Sequence, residues 1–262
     1  MIKNSFAVFL LILGVALLSC SDQPTVNPPT NILKNSPLGD LPFNDWEDID
    51  NVLRLSSGQS VGINIGSTNS VANAWFFDRA NYYEFIPVSD VSVDGVSLPN
   101  ASTTKPNYYN PDDFSYRAPE TSVRWDVRIN SNTYTMYQQI PAFPPINISP
   151  MSNLNKSAGL TVTWTPQLGL DSVIARISYN QSMTEYYDST ATLYGRRKDA
   201  VITEDDDGSI IFSPSSLSDL PPSGKAELIV TWFKFDISTV ITGKNTLLVS
   251  SFSYSIPLEI RN

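Results

Sequence analysis

The chain has 262 residues and a formal net charge of −9 at pH 7, with one cysteine and no histidine. The absence of histidine excludes Ser-His-Asp and Cys-His catalysis, together with histidine-ligated zinc, iron or copper sites. An acidic chain gains nothing from neutralising phosphates, so nucleic acid is not expected as a partner. Aromatic residues make up 11% of the chain. With abundant Ser, Thr, Val and Ile, and no helical apolar period after the first segment, they predict an all-β fold.

The N-terminal segment has the pattern of an export signal. Lys3 precedes an apolar run of 13 residues at positions 6–18, shorter than the ~20 residues that a transmembrane helix needs. The sequence Leu17-Leu18-Ser19-Cys20 then resembles the lipobox of bacterial lipoproteins. That resemblance implies a signal peptide at residues 1–19 and acylation of Cys20, for example with palmitate. An ordinary secretory signal with a chance cysteine and an uncleaved anchor are the alternatives.

The residues that follow the cysteine bear on the destination of the protein. In bacterial lipoproteins, retention at the inner membrane is usually linked to an acid directly after the cysteine, and that position is Ser21 here. The resemblance therefore implies the outer membrane, where two or three acyl chains make anchoring stable. Asp22 is a single acid rather than the acidic cluster that directs some lipoproteins to the cell surface. The periplasmic side and the cell surface both remain open.

Residues 20–42 are predicted to form a spacer between the acylated cysteine and the folded part. The segment is polar and contains Pro24, Pro28, Pro29, Pro37 and Pro42. Such a composition is too polar to pack and too rich in proline to pair as a sheet. At about 3 Å per residue, a semi-extended spacer reaches up to roughly 60 Å.

Residues 43–143 are predicted to form a first β-domain. Residues 90–98 alternate between apolar and polar around an Asp-Gly turn, which is a strong hairpin signal. Residues 123–140 form a second predicted hairpin, with Trp125 on its inward face. Between the two hairpins, residues 99–121 are predicted to be a long polar loop.

Residues 146–262 are predicted to form a second domain, an immunoglobulin-like or fibronectin-like β-sandwich without the disulfide of antibody domains. Three prolines at positions 141–145 mark the predicted boundary. The strand that ends at Trp164 should direct this indole into the core. The other elements are a hairpin over residues 201–212 around an acidic turn, a central strand at residues 228–235, and an edge strand at residues 252–260 with Pro257 facing outward.

The part of the chain after the signal resembles a diffuse group of exported bacterial lipoproteins with two β-domains and no settled function. The residues that carry this resemblance are 91–95, 123–125, 160–164, and the pair 207–208 leading to 220–221. The resemblance implies two tandem β-sandwich domains. It implies no active site in this chain.

An aromatic loop is the first candidate ligand site. It contains Tyr108, Tyr109, Asp112, Asp113, Phe114 and Tyr116. Aromatic rings stack on sugar faces while carboxylates accept hydrogen bonds from hydroxyl groups, so this composition suits a glycan. The alternative is that the rings cap the open end of the sandwich. Tyr186 and Tyr187 beside Glu185 are a weaker version of the same case.

An acidic run is the candidate metal site. Asp205, Asp206 and Asp207 supply the carboxylate oxygens that Ca²⁺ prefers. The run lacks the alternating spacing and the distant glutamate of an EF-hand loop. A solvated turn that ends in Asp-Gly explains the same residues. Apart from this candidate calcium site, the sequence indicates no cofactor.

These observations favour a non-catalytic module of the cell envelope over an enzyme. The predicted protein is an outer-membrane lipoprotein, tethered through lipid on Cys20, that binds a glycan or serves as a scaffold subunit of a protein complex. The enzymatic alternative is a carboxylate-dependent glycan hydrolase. That enzyme would require one neutral acid and one ionised acid facing each other across a cleft.

Overall fold

The computed structural model describes residues 43, 48–60, 68–78, 81–85, 88–100, 108–110, 118, 120–148, 152–192, 194 and 199–261. The described residues belong to one compact unit. The predicted signal peptide, Cys20 and the predicted spacer lie outside the described residues. No helix within the described ranges is long and apolar enough to cross a membrane.

The described chain is built from strands, with one short helix. The strands are β1 (Asn51–Ser60), β2 (Thr68–Asp78), β3 (Asn81–Phe85), β4 (Asp90–Val93), β5 (Val96–Ser97), β6 (Tyr108–Asn110), β7 (Ser122–Ile129), β8 (Asn132–Gln139), β9 (Ser152–Asn155), β10 (Leu160–Thr163), β11 (Ser172–Tyr179), β12 (Asp199–Glu204), β13 (Ser209–Phe212), β14 (Gly224–Ser238) and β15 (Thr246–Arg261). The helix α1 (Gln181–Tyr187) follows β11. The predicted all-β class is confirmed.

The strands of the described residues form three sheets. The main sheet has nine strands in the order β12-β11-β14-β15-β1-β2-β3, with β6 paired to β2 and β9 paired to β15. Both β1 and β9 run parallel to β15, whereas the other pairs are antiparallel. The two smaller sheets have the orders β5-β4-β7-β8 and β10-β13.

One face of the main sheet packs against both smaller sheets, and we call it the inner face. A single buried cluster joins residues of all three sheets. Trp164, which follows β10, meets Trp232 of β14 edge-on, with ring centroids 5.5 Å apart. Phe143, which follows β8, stacks on Phe252 of β15 at 5.2 Å. The arrangement is a sandwich whose second layer is divided between two sheets.

A buried chain of polar groups connects the four-stranded sheet to the main sheet. Trp125 Nε1 donates to Gln138 Oε1 at 2.7 Å, and Gln138 Nε2 donates to Ser250 Oγ at 2.8 Å. Ser250 Oγ in turn donates to the carbonyl of Gln139 at 3.1 Å. Trp125 is fully buried and Gln138 is 1% exposed. Because buried polar groups are costly when unpaired, these bonds fix how the two layers meet.

The opposite side of the main sheet, the outer face, is apolar at one end and polar over its middle. The apolar end is a second hydrophobic cluster formed by Ile49, Val52, Phe233, Leu247 and Val249. Alternation along the strands places Arg54, Arg176, Thr231 and Ser253 on the same face. The inner face, by contrast, is mainly apolar, with buried polar residues such as Ser70 and Ser250 paired by hydrogen bonds.

Both predicted hairpins of the N-terminal half are confirmed. Strand β4 pairs with β5 around Asp94 and Gly95, whose φ angles of 48° and 80° suit the tight turn. Strand β7 pairs with β8, and Trp125 faces inward as predicted. The central strand predicted at residues 228–235 is also confirmed, since β14 lies between β11 and β15.

The predicted division into domains 43–143 and 146–262 requires correction. Strand β1, which precedes the predicted boundary at 141–145, pairs along its whole length with β15, which follows it. Strands from both predicted domains therefore share one sheet, and the described residues form one unit. The hydrogen-bonded partners Asn51 and Thr246 are 195 positions apart, a separation that local periodicity does not detect.

The predicted hairpin over residues 201–212 is wrong. Strand β12 pairs with β11 in the main sheet, whereas β13 pairs with β10 in the two-stranded sheet. The acidic segment between them is thus a crossover from one layer to the other. Each strand has a partner elsewhere, so packing overrides the local turn signal.

The prediction that residues 252–260 form an edge strand is also wrong, because β15 is flanked on both sides. Pro257 lies where the strand beside β15 changes from β1 to β9. The β1 ladder ends at Ser255 and the β9 ladder begins at Leu258, so Ile256 and Pro257 belong to neither. A residue without an N–H group fits at such a gap.

Candidate functional site

The predicted aromatic loop is described only in part. Tyr108 and Tyr109 lie in β6, where they pair with Ala74 and Asn73 of β2 at the margin of the main sheet. The predicted long loop at 99–121 therefore contains a strand. Asp112, Asp113, Phe114 and Tyr116 lie outside the described residues, as does Cys20. The glycan hypothesis for this loop and the acylation of Cys20 stay predictions.

The acidic run has structural contacts of its own. Asp206 accepts hydrogen bonds from the indole Nε1 of Trp164 and from the backbone N–H of Gln167, the latter at 3.0 Å. Asp207 accepts from the N–H of Ser209 at 3.0 Å. These bonds hold the crossover against the two-stranded sheet. Within the described ranges, no three Asp, Glu, His or Cys side chains lie close enough together to hold a metal ion. Calcium binding stays a prediction.

A polar cleft of about 550 Å³ opens where β14 begins and β15 ends. We call it the β14–β15 cleft. Its lining contains acids, bases, hydroxyl groups and short apolar surfaces from α1, the segment after it, and both strands. The lining residues are Thr184, Asp188, Ala191, Thr192, Tyr194, Pro222, Ser223, Gly224, Lys225, Glu259, Ile260 and Arg261.

Helix α1 forms one wall of the cleft and is fixed to the start of β14. The side chain of Asn180 caps the helix by accepting from the N–H of Met183 at 2.8 Å. Thr184 Oγ1 donates to the carbonyl of Asn180 at 2.8 Å and accepts from the N–H of Lys225, also at 2.8 Å. The carbonyl of Lys225 accepts from the N–H of Asn180 at 2.9 Å. A seven-residue helix that would be marginal alone is thereby held in place.

Gly224 lets the wall approach closely. Its φ is +129°, and a Cβ placed there would lie 2.7 Å from Cε2 of Tyr179 and 3.2 Å from Thr184 Oγ1. Tyr179 is itself 2% exposed and meets the ring of Tyr194 edge-on at 6.2 Å. Tyr194 extends into the cleft lining, where its hydroxyl lies 3.4 Å from Ser223 Oγ. No larger residue than glycine fits this position without moving a buried ring.

A row of charges forms the floor of the cleft. Lys225 and Glu259 are opposite each other in the β14–β15 ladder, and Lys225 Nζ lies 3.1 Å from Glu259 Oε2. Arg261 donates to the other oxygen, Oε1, from Nε at 3.2 Å and from a terminal nitrogen at 3.1 Å. The bond from Lys225, with a smaller contribution from Arg261, lowers the pKa of Glu259 despite opposition from burial. Glu259 is therefore ionised at neutral pH.

Asp188, at the end of α1, is the second carboxylate of the cleft. Its Oδ1 accepts from the hydroxyl of Thr190 at 2.7 Å and from the N–H of Thr190 at 2.9 Å. These two bonds, and to a lesser extent the charge of Lys225, lower the pKa of Asp188. Both carboxylates are thus held in the ionised form. The cleft presents acceptors and donors side by side, an arrangement that suits a polyhydroxylated ligand.

Sequence reasoning missed the cleft. Its residues are contributed by segments 184–194, 222–225 and 259–261. Only Glu185, Tyr186 and Tyr187 in these segments were predicted candidates; they lie in α1, and their binding of a glycan stays a prediction. The signal that was present is the placement of Glu259 and Arg261 two positions apart, which puts both charges on one face of a predicted strand. Nothing in the sequence indicated that Lys225 would lie opposite them.

Comparisons with known proteins add little to this geometry. No protein-family model matches the chain, and no curated protein matches it. Among solved structures, the FN1-FN3 domains of chicken CNTN1 match with 11% identity over 80% of this chain and 67% of that chain, at a TM-score of 0.26. A score this low does not indicate a shared fold, so the match assigns neither fold family nor function.

Proposed function

We propose that this protein is a lipid-anchored binding module of the bacterial outer membrane, and that the β14–β15 cleft binds a glycan. The anchor rests on the lipobox-like sequence that ends at Cys20. The binding role rests on the cleft itself, a cavity of about 550 Å³ whose lining combines charged and hydroxyl groups with apolar surface. Cavities of this size with convergent polar groups are typical of small-ligand sites.

The arrangement of charges on the floor is the observation that carries the proposal. The contacts that hold the Lys225–Glu259–Arg261 row are 3.1–3.2 Å long and restrict its side chains before a ligand arrives. Pre-ordered groups cost less side-chain entropy on binding. The hydroxyls of Tyr194 and Ser223 add donors and acceptors on the wall. Neutral sugars use such mixed sets of hydrogen-bonding groups.

The same carboxylates favour binding over hydrolysis. A two-carboxylate hydrolase needs one acid whose pKa is raised, so that it stays protonated and donates to the leaving group. The hydrogen bonds from Lys225 and Thr190 act in the opposite direction, because they lower the pKa of Glu259 and of Asp188. The chain also has no histidine to supply a general acid or base at neutral pH.

Calorimetric titration of the full-length chain in a nonionic detergent with a panel of oligosaccharides and polysaccharides tests the proposal. We expect saturable binding by at least one saccharide, weakened about tenfold or more in E259Q, since a hydrogen bond to a charged group contributes about 1.5–3 kcal/mol. The matched control is D126N, which removes a carboxylate paired with Arg124 in the four-stranded sheet. A flat response across the panel, or equal weakening in both variants, would contradict the proposal.

Metabolic labelling tests the anchor separately. Cells that express the chain and are fed radiolabelled palmitate should label the wild-type protein, whereas the variant Cys20→Ala should carry no label. S19A keeps a small residue before the cysteine and serves as the control that should still be labelled. Label on the Cys20→Ala variant would refute acylation at this position.

A further inference from the structure

The outer face of the main sheet carries a second cavity, of about 160 Å³, whose lining is cationic. Arg54 of β1 and Arg176 of β11 contribute to the lining, together with the hydroxyl groups of Thr231 and Ser253. Isoleucine and phenylalanine side chains of β11 and β14 complete it. Among the described residues, the lining contains two guanidinium groups and no carboxylate, in a chain whose net charge is −9.

Arg176 is the residue that most strongly indicates a ligand. It is half-buried, and it makes no hydrogen bond or ion pair with any described residue. A guanidinium carries five N–H donors, and removing it partly from water is unfavourable unless acceptors replace the lost hydration. On the same face of β14, Glu227 accepts a hydrogen bond from Ser255 and is not paired with Arg176.

The other polar groups of this cavity are arranged as donors. Arg54 Nε donates to Ser56 Oγ at 2.9 Å, which directs the guanidinium along β1 toward the cavity. Thr231 Oγ1 and Ser253 Oγ lie 2.8 Å apart. In that pair one hydroxyl donates to the other, so one O–H group is left to donate to a ligand. The apolar walls lower the local dielectric, which strengthens attraction between an anion and the two arginines.

We propose that this cavity binds an oxyanion group, a phosphate or a sulfate, between Arg54 and Arg176. Guanidinium groups match the oxygens of tetrahedral anions in charge and in geometry. The site lies on the outer face of the main sheet, and none of its residues lines the β14–β15 cleft. The proposal is therefore independent of glycan binding in that cleft.

Titration of the full-length chain in a nonionic detergent with inorganic phosphate at low salt tests the proposal, with calorimetry as the readout. We expect saturable binding that weakens about tenfold or more in R54Q and in R176Q, since each removes hydrogen bonds to a charged ligand. The matched control R128Q removes an exposed arginine from β7 and should bind as the wild type does. Added sodium chloride should weaken binding through screening.

Further variants separate binding from folding and identify the source of the anion. R176K keeps the charge but not the planar donor set, so it should fall between wild type and R176Q. E259Q should bind phosphate normally, which separates this site from the cleft. Tighter binding of glucose-6-phosphate than of phosphate would indicate a soluble sugar phosphate. Tighter binding of dihexanoyl-phosphatidic acid would indicate a lipid headgroup. Absence of saturation, or equal weakening in R128Q and R176Q, would overturn the proposal.

Discussion

The substitution Gly224→Ala tests how the wall of the β14–β15 cleft is built. The alanine would have to adopt a φ of +129°, which L-residues with a side chain rarely do. Its Cβ would lie 2.7 Å from Cε2 of Tyr179. Tyr179 is 2% exposed and packs against Tyr194, so its ring cannot move away without disturbing that packing. The backbone strain and the steric clash therefore act together.

The size of the effect follows from these two contributions. Strained backbone of this kind costs about 1–3 kcal/mol, and inserting a methyl group into a well-packed site costs about 1–3 kcal/mol. We expect Gly224→Ala to lower the free energy of unfolding by about 2–6 kcal/mol. For a domain of this size, each kcal/mol lowers Tm by about 2–4 °C.

Gly95→Ala is the matched control. Gly95 also has a positive φ, +80°, but a Cβ added there would have nothing within 4 Å. It should show backbone strain alone, about 1–2 kcal/mol. Urea denaturation followed by tryptophan fluorescence measures both variants. The reasoning is refuted if the two substitutions cost the same, because the contact with Tyr179 would then contribute nothing.

Three other perturbations probe buried contacts and charge. In urea melts, Q138L should lower the free energy of unfolding by about 1–3 kcal/mol, because the indole N–H of Trp125 loses its acceptor. The double variant Q138L/W125F should lose less stability than the sum of the two single variants, and additive losses would contradict this. In thermal melts with a calcium chelator, D206A should lower Tm more than D205A, because Asp206 accepts hydrogen bonds from the indole of Trp164 and the N–H of Gln167. Equal shifts in Tm would count against this structural role of Asp206. The ammonium group of Lys225 lowers the pKa of Glu259 in the folded state. The ionised Glu259 therefore stabilises the fold fully above its unfolded-state pKa, and this stabilisation is lost as pH falls through its folded-state pKa. The stability difference between wild type and E259Q should therefore narrow on acidification, and a widening difference would be inconsistent with the ion pairs.

The hairpins could be predicted from the sequence because their signals are local. Asp94 and Gly95 supply the positive φ angles that a two-residue turn needs, and period-two alternation then sets which side of each strand is buried. The same alternation in β11 buries Val173, Ala175 and Ile177. It therefore also predicts that Arg176 lies on the opposite face, where the structure places it.

The layering of the sheets could not be predicted in the same way. The parallel pair of β1 and β15 has no connecting turn, and its partners lie 195 positions apart. Pro257 indicated an edge strand, yet the gap between the β1 and β9 ladders accommodates it within the sheet. A proline in a strand indicates a position where the backbone donates no ladder hydrogen bond. Sequence alone does not tell whether that position lies on an edge strand or at a gap between two neighbouring strands.

The cleft illustrates the same limit at the level of function. Lys225, Glu259 and Arg261 are ordinary strand residues when read singly, and only the register of β14 with β15 brings the lysine opposite the glutamate. Asp188 joins them because the bonds of Thr184 fix α1 to the start of β14. Sites that are assembled from the ends of three elements leave no compact motif in the chain.

The measurement that tests the central claim most directly is amide chemical-shift mapping of the ¹⁵N-labelled chain during titration with the best saccharide of the panel. If the β14–β15 cleft is the binding site, the largest shifts should fall on Gly224, Lys225 and residues 259–261. Shifts that instead cluster at Tyr108 and Tyr109 of β6, with none at the cleft, would contradict the claim and would place glycan binding in the aromatic segment.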